Sequence, residues 1–315
     1  MTVIPSVTAA ARPAGRPRLS RSRLPVALRR ELAPRDARWW IGAAITAVSA
    51  LLMAFVAHAA VFSGFQHQRA QALAYDALRS SLAKAEAPTG QLDLHEEMVA
   101  PGTPVALLSI PAAGVSEVVL EGSDAQVLRG GAGHRRDSAV PGQPGTAVIL
   151  GRQATYGGPF RELGRLVPGD TITVTTGQGP ATYRVFALRR AGDPLPEPLR
   201  PGQGRLELMT GDGLALFPDG VLHVDAELIS PPRPASTRVM AYAALPVAER
   251  AMGQDSNAWF VAFFIAVFCV AAAFGVWWLW RSWGRWQAWL IGLPVLLTLG
   301  VTCADFIMNA LPNLL

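Results

Sequence analysis

Three long apolar runs interrupt the sequence, and each is long enough to cross a membrane. The first, residues 39–62, has no charged side chain over 24 residues. At a rise of about 1.5 Å per residue it exceeds a hydrocarbon core of about 30 Å. The second, residues 257–280, carries tryptophans near both ends, where interfacial anchors lie, and the third, residues 288–311, contains Pro294 and Asp305. The pattern predicts three transmembrane helices.

The segment between the first two spans follows a different pattern. Residues 63–102 begin with an amphipathic repeat typical of a stalk helix leaving the membrane and end as a linker. In residues 103–230, short alternating segments such as TITVT are separated by proline and glycine, which is typical of antiparallel strands. We expect seven or eight strands in a closed barrel or a sandwich, followed by a proline-rich linker at residues 231–256. The strands are predicted at residues 105–111, 115–122, 145–151, 170–177, 181–188, 205–210 and 221–229.

Charge is distributed unevenly along the chain, whose formal net charge is +5. Residues 1–38 carry nine arginines against Glu31 and Asp36, and the short loop 281–287 adds two more arginines. Because positively charged loops stay in the cytoplasm, we expect the N-terminal tail and this loop inside the cell and the strand-rich domain outside. That exported part has 17 basic and 20 acidic residues. The excess of basic residues therefore lies in the tail beside the cytoplasmic membrane and not in the strand-rich domain. Nucleic acid is excluded as a partner.

The two cysteines, Cys269 and Cys303, both lie in apolar runs. They are poor candidates for a disulfide, and no ligand spacing typical of a metal site is present. The sequence therefore predicts neither a metal nor a cofactor.

Two stretches rich in glycine and proline are specific enough to compare with known families. They are PGQPGTAVILG at residues 141–151 and FRELGRLVPGD at residues 160–170. With their flanking segments, residues 103–229 resemble the sortase fold, most closely that of the actinobacterial class E sortases. The resemblance implies an all-β, eight-stranded barrel. In working members this barrel cleaves a sorting-signal peptide and joins the acyl group to an amine through a cysteine thioester.

The resemblance also implies three catalytic groups: a thiolate nucleophile, a histidine acid and base, and an arginine that holds the oxyanion or the substrate. The histidine would follow the strand ending in ILG, where this sequence has Arg152, and the cysteine would follow LELMT, where it has Gly211. The arginine would open the next strand, near Val221. A guanidinium cannot exchange protons near neutral pH, and glycine has no side chain to attack a carbonyl. We therefore expect no catalytic residue at these positions.

Four residues are candidates for lining a ligand groove: Arg152, Thr210, Asp212 and His223. Thr210 is expected to point away from Gly211 because side chains alternate along a strand. Arg152 has two interpretations: it pairs with an acid such as Asp212, or it binds a carboxylate or a phosphate. His223 is either an ordinary strand residue of the barrel or a displaced base.

Three further polar residues have expected places. His134 is interpreted as structural, and His58 is expected to reach the membrane interface from the outer end of its span. Asp305 either lies among the lipid headgroups or serves a function within the membrane, where carboxylates are rare.

Three hypotheses follow. The favoured one is a membrane-anchored, non-catalytic sortase-like protein that binds or scaffolds at the envelope of an actinobacterial-type cell and contacts its cell wall. Its partner would be a sorting-type peptide, an envelope polymer or another exported protein. The second is a transpeptidase or hydrolase with relocated groups, such as His223 and Asp212. The third is a membrane assembly subunit in which Asp305 pairs with a partner helix.

Overall fold

The computed structural model describes residues 37–214, 217–282 and 284–315. The chain divides into two units, Met1–Leu51 and Leu52–Leu315, and all contacts given below lie within the second. The tail predicted at residues 1–38 falls outside the described residues except for its last two positions.

Two helices open the described chain. Helix α1 spans Ala37–Ala57 and helix α2 spans Ser63–Ala83, with a π-helical turn at His58–Phe62 between them. The helix predicted for the stalk is therefore α2, which begins directly after this turn.

Eight strands form a closed barrel in the order β1-β2-β3-β4-β7-β8-β6-β5. The closed barrel confirms the predicted fold and excludes the sandwich. Strand β3 was not predicted, because three residues are too few for alternation to show. The strands are β1 Pro104–Ile110, β2 Val115–Glu121, β3 Ala132–His134, β4 Gly145–Leu150, β5 Thr171–Thr176, β6 Gly179–Arg189, β7 Gly204–Leu214 and β8 Phe217–Leu228.

Alternate residues of each strand fill the barrel interior. Leu206 and Leu208 of β7 and Leu222 and Val224 of β8 are fully or almost fully buried in this core. Because successive side chains point to opposite faces, the residues between them lie on the outer face. Gly211 belongs to this outer face of β7, and the candidate site is built there.

The stalk helix α2 lies against the barrel. Leu78 is 2% exposed and packs in one apolar cluster with Val118 and Leu120 of β2. Gln71 accepts a hydrogen bond from Val118 N at 2.7 Å and donates to Gly130 O at 2.8 Å. Gly130 ends the short helix α3, Ala125–Gly130. The amphipathic pattern of the stalk therefore reflects burial against the barrel.

The last two helices form an antiparallel hairpin. Helix α4 spans Ser256–Ser282 and helix α5 spans Arg285–Ala310. They approach so closely that a Cβ on Gly292 would lie 2.6 Å from Val276 Cγ1. The loop predicted at residues 281–287 is shorter than expected, because both helices extend into it.

Three helices of the described residues are long and apolar enough to cross a membrane. They are Ile45–Ala83, Ser256–Ser282 and Arg285–Ala310. The first continues well beyond the predicted span because α2 extends it along the barrel.

His134 is a buried structural residue at the end of β3. Its Nδ1 lies 2.9 Å from Glu121 Oε2, and its Nε2 lies 2.9 Å from Ala139 O. Burial disfavours the charged ring, but the Glu121 carboxylate outweighs burial and raises the pKa of His134 above its ordinary value of 6.5. The pair therefore stabilises the folded state most at acidic to neutral pH.

We predict that Glu121→Gln lowers the free energy of unfolding by about 2 kcal/mol, because it leaves a buried imidazolium without its counter-charge. The full difference in the free energy of unfolding between wild type and variant should appear below the pKa of histidine in the unfolded chain. It should shrink as the pH rises through the raised pKa of folded His134. Thermal unfolding of the full chain in detergent across this range measures it, with the exposed Glu86→Gln as control. A difference from wild type that widens with pH contradicts the prediction.

Candidate functional site

Strands β4, β7 and β8 bring the family-equivalent positions together on the outer face of the barrel, although Gly211 and Val221 lie within their strands rather than at the ends. Strands β4 and β7 are parallel, with Leu150 opposite Met209, and Gly151 N donates to Met209 O at 3.0 Å. Strands β7 and β8 are antiparallel, with Gly211 directly opposite Val221. Arg152, which follows Gly151, therefore lies beside this pair of positions at one end of the sheet.

The space at Gly211 is closed. A Cβ added there would lie 3.0 Å from Gln153 Oε1, 3.2 Å from Leu314 O and 3.2 Å from Pro218 Cβ. Such contacts are tight for any side chain, so a residue with a reactive atom fits only if its neighbours move. Glycine keeps the strand in place while the surrounding chain packs over it.

The chain directly after α5 lies over this position. We call residues 311–315 the cover segment. Leu314 is fully buried in a cluster with Leu128, Leu150 and Met209. Two residues that follow Arg152 also bond to the cover segment. Gln153 N donates to Leu314 O at 3.0 Å, and Thr155 Oγ1 donates to Leu315 O at 2.7 Å.

Asn313 fixes the cover segment from its other side. Its Nδ2 lies 2.9 Å from Ser123 O and 2.9 Å from Arg250 O, and its backbone N donates to Gly253 O at 3.0 Å. Sequence reasoning missed this segment, because LPNLL carries no periodic signal and the partners of Asn313 lie sixty or more residues away.

Arg152 is fully buried beneath this edge. Its Nη1 donates to Thr155 Oγ1 at 3.1 Å and its Nη2 donates to Ala125 O at 2.9 Å, while its Nε has no hydrogen-bond partner in the described chain. The guanidinium carbon lies 5.0 Å from the centre of the Tyr156 ring. Burial lowers the pKa of Arg152 to about 10, so the group remains charged at neutral pH.

The predicted partner of Arg152 was wrong. Asp212 bonds to Arg190 Nε at 3.0 Å, on the exposed surface. Among the described residues no carboxylate lies within ion-pair distance of Arg152. Burying a charge without a counter-ion costs several kcal/mol, and a cation–π contact returns only about 1–2 kcal/mol of that. The site therefore holds an uncompensated positive charge.

A second cluster next to Arg152 is compensated. Asp305 of α5 lies 3.0 Å from His58 Nε2, 3.1 Å from Arg129 Nη2 and 3.2 Å from the Tyr156 hydroxyl. His58 and Asp305 are both buried, so neither lies free at an interface as the sequence suggested. Asp305 joins the helices to the barrel, and it forms its ion pair with Arg129 rather than with Arg152.

The other groove candidates do not converge on Arg152. Thr210 is 1% exposed and shares the inner face with Leu208. His223 Nδ1 donates to Glu207 Oε1 at 2.7 Å, whereas Asp212 accepts from Arg190. His223 and Asp212 are therefore held by different partners.

Glu207 and His223 belong to a charged cleft of about 470 Å³ at the other end of the same outer face. Arg189 bonds to Glu207 at 2.8 Å and also to Asp225, which is fully buried. Burial alone would raise the pKa of Glu207, but His223 and Arg189 lower it below its ordinary value. The opposite charges on neighbouring strands were visible in the sequence, but only strand register shows that they meet.

No cluster of three or more histidine, cysteine, aspartate or glutamate side chains in the described chain has the arrangement of a metal site. Both cysteines lie in the helical hairpin, where Cys303 Sγ is 3.7 Å from Ala262 O.

Most of the barrel is similar to a known protein family. Residues 108–210 match the family described as Sortase domain. The chain is 33% identical over 88 residues to Sortase D of Bacillus subtilis (strain 168), covering 28% of this chain and 43% of that protein. The chain therefore matches less than half the length of this curated relative.

Solved sortases are similar as well. The structure of sortase E from Streptomyces avermitilis shows 30% identity and a TM-score of 0.36, covering 48% of this chain and 99% of that one. The Clostridium perfringens Sortase D5 transpeptidase shows 22% identity and a TM-score of 0.40, covering 52% of this chain and 99% of that one.

We predict that Asp305→Asn lowers the free energy of unfolding by about 3 kcal/mol, because His58 and Arg129 lose their shared counter-charge. The apparent Tm of the full chain in detergent should fall well below that of Asp219→Asn, which changes an exposed carboxylate on β8. Equal Tm values for the two variants would show that the network contributes nothing.

We also predict that the cover segment shields position 211. In a chain with Cys269→Ala and Cys303→Ala, the cysteine of Gly211→Cys should react with a charged maleimide at least about tenfold more slowly than that of Leu214→Cys. Leu214 lies on the same strand and is 72% exposed. Similar rates at both positions would mean that the segment does not close the site.

Proposed function

Residues 108–210 match the family described as Sortase domain, and from this premise we propose that the barrel is a membrane-anchored binding module that performs no sortase chemistry. One observation carries the proposal. Where the resemblance places the nucleophile, the chain has Gly211, and the cover segment closes the space above it.

The neighbouring positions support the same conclusion. Transfer through a thioester needs a group that takes and returns a proton, and Arg152 retains its charge at neutral pH. Val221, opposite Gly211, is aliphatic and packs beside the cluster that holds Leu314. An arginine, a glycine and a valine at these three positions supply neither a nucleophile nor a group that exchanges protons.

The helices suggest where the module acts. Three apolar helices are long enough to cross a membrane, and the arginine-rich segments of the sequence favour a cytoplasmic N-terminus with the barrel outside the cell. We propose that the barrel faces the envelope of an actinobacterial-type cell and contacts the cell wall. There it binds a sorting-type peptide, an envelope polymer or another exported protein.

The two alternatives have less support. An enzyme with relocated groups would need His223 and Asp212 to act together, yet Glu207 holds one and Arg190 holds the other. An assembly subunit would need Asp305 to reach a partner helix, yet its oxygens already bond within this chain.

We predict that the purified full chain neither hydrolyses nor transfers a sorting-type peptide and forms no covalent acyl adduct. The double variant Gly211→Cys, Arg152→His should behave in the same way, because the cover segment still lies over the restored thiol. Mass spectrometry of the intact protein after incubation with the peptide measures this, with an active sortase assayed alongside. An acyl adduct on the wild-type barrel would overturn the proposed function.

A further inference from the structure

We propose that the cover segment hides an anion-binding site centred on Arg152, which takes a ligand combining an aliphatic side chain with a carboxylate or phosphate group. This inference rests on the proposed function, because it names the ligand chemistry of the same groove. Four features of the site lead to it step by step: an unpaired charge, the donors around it, a removable cover and an apolar pocket beside it.

The first step is the unpaired charge. A guanidinium has five N–H donors, and the hydrogen bonds that Arg152 makes go to two neutral oxygens, Thr155 Oγ1 and Ala125 O. Its buried Nε has no partner in the described chain. The nearby Arg129 already shares the charge of Asp305. The positive charge of Arg152 and its Nε–H donor therefore remain available to an anion.

The second step is the set of donors around Arg152. Gln153 N points at Leu314 O at 3.0 Å, and Thr155 N and Oγ1 point at Leu315 O at 3.4 and 2.7 Å. These two oxygens of the cover segment stand where the oxygens of an anion would. If the cover segment leaves, two backbone N–H groups and a hydroxyl become free beside the guanidinium, and such convergent donors bind anions.

The third step is that the cover segment can be removed. It belongs to no strand or helix, and apart from the hydrogen bonds already described, two buried side chains, Leu314 and Leu315, hold it. Short segments held by few apolar contacts open at a lower free energy than the strands beneath them. The barrel does not need to unfold for the site to be exposed.

The fourth step is the pocket beside the charge. Leu314 fits among Leu128, Val148, Leu150 and Met209, so the place it vacates accepts an aliphatic side chain. A peptide with a leucine next to a free carboxylate satisfies both features, and a phosphate offers the same charge without the apolar anchor.

The test uses the full chain in detergent with Leu314→Ala, which weakens the cover segment. Two peptides copy residues 313–315, acetyl-Asn-Leu-Leu with a free carboxylate and the same peptide as an amide, and inorganic phosphate is the third probe. Isothermal titration should show the acid binding to Leu314→Ala at least about tenfold more tightly than the amide, and more tightly than it binds the wild type. Stronger binding of phosphate than of the acid would assign the site to phosphate groups rather than peptides, which keeps the anion site and rejects the apolar anchor.

Arg152→Gln in the Leu314→Ala chain should remove the preference for the acid over the amide, whereas Arg152→Lys should keep part of it. Arg184→Gln, which changes an exposed arginine on β6, should leave it unchanged. If Arg152→Gln does not fold, Thr155→Val tests the same donors and should weaken acid binding severalfold. Equal affinity for acid and amide in the Leu314→Ala chain would overturn the anion site and leave the proposed function standing. The proposed function would be refuted by a covalent acyl adduct on the wild-type barrel.

Discussion

The carboxylate of Asp305 determines how the parts of this protein meet. A charge near the end of an apolar helix must be paired. Its partners come from three segments: His58 from the π-helical turn, Arg129 from α3 and Tyr156 from the loop after β4. These contacts place the end of α5 against the barrel. The chain leaves α5 at Ala310, so the next five residues reach the outer face of β4 and β7. The cover segment lies where it does because Asp305 is bound a few residues earlier.

The same carboxylate accounts for the electrostatic difference between two neighbouring arginines. Arg129 and Arg152 lie 5.6 and 5.0 Å from the centre of the same tyrosine ring, yet only Arg129 reaches Asp305. A barrel that had lost all use for its groove would have little reason to keep a buried, unpaired guanidinium, since such a group reduces stability. The proposed binding role explains why the buried guanidinium of Arg152 is kept although it lowers the stability of the fold.

Much of the fold could be predicted from local pattern. The alternation in TITVT, the glycine and proline turns and the three apolar runs depend on neighbouring residues, and each corresponds to a strand, a turn or a helix of the structure. The positions of Arg152, Gly211 and Val221 at one end of the sheet follow from parallel and antiparallel register. Contacts between distant segments could not be predicted. The Leu314 cluster and the bonds of Asp305 join residues more than one hundred positions apart. The interpretation that Arg152 pairs with Asp212 was wrong, because Asp212 bonds to Arg190 at the surface whereas Arg152 is fully buried.

The π-helical turn at His58–Phe62 has a consequence for the stalk. A π turn contains one residue more than an α-helical turn, and each residue rotates the following helix by about 100°. The turn therefore sets the rotational phase of α2, so that Gln71 and Leu78 face the barrel while His58 faces α5. In a regular helix of this sequence these side chains could not face both neighbours at once. The extra residue thus fixes the angle about the helix axis between His58 and the side chains that pack against the barrel.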